Sequence, residues 1–83
     1  MDIAGRLERI EQEIRQAENE KLQREQMLSL FWEHMPAIDP ILIRDRMLFL
    51  QNEIRSLENR KRSLRNEQQS LIVRAVTLGD RGD

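Results

Sequence analysis

The chain of 83 residues contains no cysteine, which excludes disulfide staples and thiolate metal sites alike. Tyrosine is absent too, and two Phe and one Trp are the only aromatic side chains. With so few large rings and 39% hydrophobic residues, one thin core can form and a second domain cannot. Three Gly and two Pro leave little material for loops. An excess of one charge is also missing. Lys and Arg number 14 against 15 Asp and Glu, a net charge of -1, so no overall field draws the chain to nucleic acid or acidic lipid. No apolar run approaches the ~20 residues of a membrane span, because the richest stretches, 27–35 and 41–50, are broken by charge. No secretion signal is legible, and an intracellular, cytoplasmic setting is the simplest expectation.

Catalytic chemistry has little to work with. His34 is the only histidine, no Gly-rich phosphate loop occurs, and no His and carboxylate spacing puts ligands on one helix face. The chain is therefore read as no enzyme, with no cofactor, metal or small-molecule substrate. His34 itself reads as a partly exposed residue beside an apolar cluster.

What is present is charge, at 35% of residues, interleaved with apolar residues at alternating spacings of three and four. That is the pattern of a coiled-coil seam. In the second half Ile43, Leu50, Leu57, Leu64, Leu71 and Leu78 lie seven apart, with Met47, Ile54, Lys61, Gln68 and Ala75 at the alternate position. In the first half the series are Ile3, Ile10, Ala17, Arg24 and Phe31, and Leu7, Ile14, Lys21, Leu28 and Met35.

The stretch MPAIDPIL separates the two halves. Pro36 cannot continue a helix and disfavours helical geometry at Met35, whereas Asp39 followed by Pro40 supplies a capping acceptor and a first-turn proline. Gly79 follows the last periodic residue, as a left-handed terminator would. The expectation is an all-α antiparallel two-helix coiled-coil hairpin over residues 1–78, with helices 2–35 and 40–78, a turn at 36–39 and a flexible tail at 79–83.

Reversal at Asp39 makes the seams meet: Ile3 faces Ala75, Leu7 faces Leu71, Ile14 faces Leu64, Leu28 faces Leu50, Phe31 faces Met47 and Met35 faces Ile43. A connection this short cannot return the chain for parallel pairing. The first half is net acidic and the second net basic. Glu20 is expected beside Arg60 and Glu11 beside Arg65, while Glu18 opposite Glu58 and Glu13 opposite Glu67 oppose the register. The waist is poor in apolar layers, since Ile10 faces Gln68, Ala17 faces Lys61, Lys21 faces Leu57 and Arg24 faces Ile54. Long cationic stems can line such a groove and keep the charge in water.

Both ends carry more apolar surface than one partner helix covers. Near the corner these are Met27, Leu30 and Trp32 with Ile41, Leu42, Leu48 and Phe49; at the open end they are Ile72, Val73 and Val76. Contiguous patches of this kind mark a partner surface. The expected partner is a second copy, giving a homodimer that closes into a four-helix bundle or a higher homo-oligomer, and the function is self-association and scaffolding between proteins. A finger-like effector domain that offers its waist or tip to a small GTPase or another protein is the alternative. Nucleic-acid binding ranks lower: Arg44, Arg55, Arg62 and Arg65 share a face, but Glu58 stands four before Arg62, and the basic run lies inside the seam instead of ahead of it. The terminal Arg81, Gly82 and Asp83, an adhesion-like tripeptide, read as part of the tail.

Overall fold

The computed structural model describes residues 2–34 and 39–81. It holds two helices, α1 (Ile3–Glu33) and α2 (Pro40–Arg81), of 31 and 42 residues, in a rod 69 Å long and 17 by 15 Å across. No strand occurs among the described residues, and no helix there is long and apolar enough to cross a membrane.

Each helix start is legible in its local chemistry. At the head of α2 the Ile41 N–H donates to Asp39 Oδ1 at 3.0 Å and the Ile43 N–H to the Asp39 carbonyl at 3.2 Å, with Pro40 as the first helical residue. Asp39 thus satisfies donors that the first turn leaves without a partner. Asp2 precedes α1 with extended backbone and makes no side-chain cap; its carbonyl accepts from the Arg6 N–H at 3.0 Å. α1 ends at Glu33, and the N–H of the capping residue His34 donates to the Leu30 carbonyl at 2.8 Å.

One boundary falls outside the described residues, and one differs from the sequence reading. Met35, expected as the last seam residue of α1, and the turn residues 36–38 lie outside the described residues. At the other end Gly79 does not terminate α2, which runs on to Arg81, and no described glycine has positive φ. Glycine permits the left-handed conformation without requiring it, and no proline enforces a stop there. Gly82 and Asp83 lie outside the described residues.

The helices pack antiparallel. Ile10 of α1 clusters with Leu64 and Leu71 of α2, and Ile3, Leu7 and Ile14 pack against that cluster. The ion pairs run the same way: as positions rise from Lys21 to Arg24 on α1, their partners fall from Glu58 to Glu53 on α2. The buried apolar residues are Ile10, Ala17, Ile43, Leu50, Leu64 and Leu71. All of them belong to the two seven-residue series, because a helix buried along one side hides only a narrow stripe.

Candidate functional site

The corner is where α1 and α2 expose the most apolar surface. Met27, Leu30 and Trp32 are exposed on the last turns of α1, as are Ile41, Leu42, Leu48 and Phe49 on the first turns of α2. At 100° per residue these side chains point to several sides of their helices, and the one neighbouring helix covers a single side. Phe31 and Met47, in the seam, are half-buried, whereas Trp32 remains 64% exposed and Phe49 56%. Met27, Leu30, Phe31 and His34 line a shallow, almost wholly apolar hollow of about 290 Å³. His34 is exposed at its rim.

At the open end Ile72, Val73 and Val76 are exposed beside the buried Leu71, and the Thr77 hydroxyl donates to the Val73 carbonyl at 2.8 Å. Among the remaining seam residues Ile43, Leu50, Leu64 and Leu71 are buried, and Leu7, Ile14, Leu28 and Leu57 are half-buried. Leu22, exposed at the waist, belongs to neither patch, and single exposed leucines are ordinary.

The waist pairs its charges differently from the sequence reading. Lys21 Nζ reaches Glu58 Oε1 at 3.1 Å, and Lys61 Nζ reaches Glu18 Oε1 at 3.3 Å. Glu18 also receives Arg65 at 3.5 Å, Arg24 Nε donates to Glu53 Oε2 at 2.8 Å, and Arg6 holds Glu67 through two bonds of 2.7 and 2.9 Å. Glu11 pairs weakly with Arg15 on its own helix at 3.8 Å, not with Arg65. No ion pair among the described residues joins Glu20 to Arg60 or Glu58 to Arg62. The feared contacts of Glu18 with Glu58 and Glu13 with Glu67 are relieved because Glu18, Glu58 and Glu67 each take a cation from the other helix.

These pairs also alter the waist as a core. Lys61 is only 16% exposed in its side chain, and Ala17, in the same layer, is buried, as expected if the lysine stem roofs the small residue. Ile10, assigned to a weak layer with Gln68, is the most buried side chain among the described residues and clusters with Leu64 and Leu71. The hydrogen bond from Arg6 is the main reason that the Glu67 carboxyl lies below its ordinary value of 4.5, and the same bond raises Arg6. Arg24 is raised chiefly by its hydrogen bond to Glu53.

The candidate basic face is mixed in sign. Arg65 is taken up by Glu18, Arg44 approaches Asp45 at 3.8 Å, and the open groove of about 580 Å³ beside Lys21, Lys61, Arg62 and Arg65 includes Glu58. Among the described residues no three His, Cys, Asp or Glu side chains stand close enough to hold a metal ion.

One feature of the waist escaped the sequence reading. Residues 13–21 read EIRQAENEK and residues 53–61 read EIRSLENRK, so Glu13, Ile14, Arg15, Glu18, Asn19 and Lys21 recur as Glu53, Ile54, Arg55, Glu58, Asn59 and Lys61. The fold sets these copies antiparallel about a local two-fold axis, and the Lys21–Glu58 and Lys61–Glu18 pairs are each other's images across it. Comparing the chain with itself would have found the repeat. No family model matches the chain, and no curated protein or solved structure is significantly similar to it.

Proposed function

We propose that the chain is a self-association module that joins protein copies by binding and performs no chemistry. The observation that carries this reading is the exposure of Trp32, Leu42 and Phe49 at the corner and of Val73 and Val76 at the open end, on a hairpin whose own interface is already occupied by other residues. Fully burying a Phe-sized side chain contributes roughly 1.5 to 3 kcal/mol. Association costs on the order of 4 to 15 kcal/mol, so several such side chains per copy are needed, and the two patches supply them. A second hairpin is a suitable partner because two-helix units complete their packing as four-helix bundles. Within this reading the module acts as a scaffold inside the cell, in keeping with a chain that carries no cysteine. Light scattering across a concentration series tests it: the expected mass rises from one copy to two or more in the micromolar range. A single-copy mass throughout would end the proposal.

A further inference from the structure

Resting on that reading, we infer that the second copy docks antiparallel along the outer face of α2, displaced by one seven-residue step from the centred alignment, so that each corner covers the other's open end. Away from the hairpin seam, a second line of positions seven apart runs down α2 from Leu42 through Phe49, Ser56, Ser63 and Ser70 to Thr77. Its alternate line runs from Asp45 through Asn52, Asn59 and Asn66 to Val73, and every residue of both lines is exposed. At 100° per residue this face stands about 150° from the seam and keeps that angle along the helix. It carries Leu42 and Phe49 toward the corner and Val73 toward the open end, and its charges are Asp45 and, one step beyond Val73, Asp80.

Charge complementarity selects the alignment. On one flank of this face Arg46, Glu53, Arg60, Glu67 and Arg74 lie seven apart and alternate in sign. Glu53 and Glu67 each hold one cation of α1, while Arg46, Arg60 and Arg74 form no ion pair among the described residues. An antiparallel copy centred on Arg60 would set Arg60 on the partner's Arg60 and Glu53 on the partner's Glu67. A shift of one step removes both repulsions: Arg60 meets the partner's Glu67, and Glu53 meets the partner's Arg74. A carboxylate has lone pairs for more than one donor, so the pairs within the hairpin persist.

The apolar residues choose the direction of the shift. In one direction Phe49 meets the partner's Val73 and Ile41 meets the partner's Val76, so corner and open end cover one another. In the other direction Phe49 falls on the partner's Asn59 and the open end stays bare. Parallel docking fares worse, since it sets Asp45 on the partner's Asp45 and Arg55 near the partner's Arg60. The chosen alignment has two like-charge neighbours, Arg55 near the partner's Arg62 at an edge of the face and Arg46 near the partner's Arg81 at the end of α2. Phe49 and Val73 lie about 36 Å apart along α2. A contact of that length is compatible with the roughly 800 Å² per partner of a stable interface.

The absence of cysteine makes the test direct. Ser56→Cys and Asn66→Cys, made in separate full-length chains, alter exposed residues of small and moderate size and leave the apolar anchors intact. Mixed and oxidised, they should give a disulfide-linked pair at least ten times faster than either variant alone, because Ser56 faces the partner's Asn66 in this alignment. Self-linking of either variant alone would show a parallel pair and overturn the inference. A parent protein that is dimeric by sedimentation, with no linkage in any combination, would remove this face while leaving self-association standing. A monomeric parent would remove both.

Discussion

Lys61 and Glu18 meet across the helix pair at 3.3 Å, and the lysine that makes this contact occupies a seam position where an apolar residue would ordinarily stand. A cation so placed holds the register at some cost in stability, because its carbon stem packs less well than a branched side chain. Lys61→Leu should therefore stabilise the hairpin, with the melting temperature rising by roughly 4 to 8 °C per kcal/mol gained. Lys61→Glu should lower it by facing Glu18 with like charge. Thermal melts followed by circular dichroism decide both, and a leucine variant that melts below the parent would contradict the argument.

Among the described residues Ile10 has the least exposed side chain, and it clusters with Leu64 and Leu71. Truncation to Ala should cost about 2 to 5 kcal/mol, the range for a buried aliphatic residue that leaves a cavity. Leu28→Ala, at a half-buried position, should cost less. Urea denaturation of the two variants at one protein concentration provides the comparison.

The corner residues should separate assembly from folding. Trp32→Ala and Phe49→Ala remove exposed surface and should weaken self-association while leaving helicity near that of the parent. Leu57→Ala, in the half-buried seam, should mainly loosen the hairpin. Sedimentation and circular dichroism on the three variants check the division, and unchanged association by both corner variants would move the assembly surface elsewhere.

Acid should weaken the open end through Glu67. Its carboxyl is held below the ordinary 4.5 by Arg6, so the pair stabilises the fold above that value and the contribution is lost as pH falls through the lower, folded-state value. Glu67→Gln should therefore flatten the decline in stability as pH falls below 4.5. An equal decline in the two proteins would show that Glu67 carries none of it.

Asp39→Ala tests the corner's local chemistry. Loss of the acceptor for the Ile41 N–H should cost about 0.5 to 2 kcal/mol, and Asp39→Asn, which keeps an acceptor, should recover most of that. Denaturant midpoints measure the difference.

The hairpin was legible because its periodicity is geometric. Leu50, Leu64 and Leu71 repeat every seventh residue and are buried, and Asp39 before Pro40 states where α2 begins. Lateral ion pairing was harder to read. Whether Glu18 faces Glu58 or Lys61 depends on the rotation of each helix and on how far a lysine stem reaches, and spacing alone fixes neither. Gly79 is ambiguous in the sequence because glycine tolerates a helix stop without imposing one. The burial of Ile10 is hidden from one-to-one pairing of layers, because a side chain in a helix seam packs among several residues of the facing helix.

A single copy of the rod is only two helices wide, so each segment of its seam is supported by the segments immediately before and after it and by nothing from the side. Such an object behaves nearly as a one-dimensional array, in which order spreads from neighbour to neighbour and cooperativity fades with distance. The charged waist then acts as a joint between two more strongly coupled blocks, one around Leu50 and Ile43, the other around Ile10, Leu64 and Leu71. The block at the open end can unzip while the one at the corner stays closed, so backbone amides of the two blocks would exchange with solvent at separate rates.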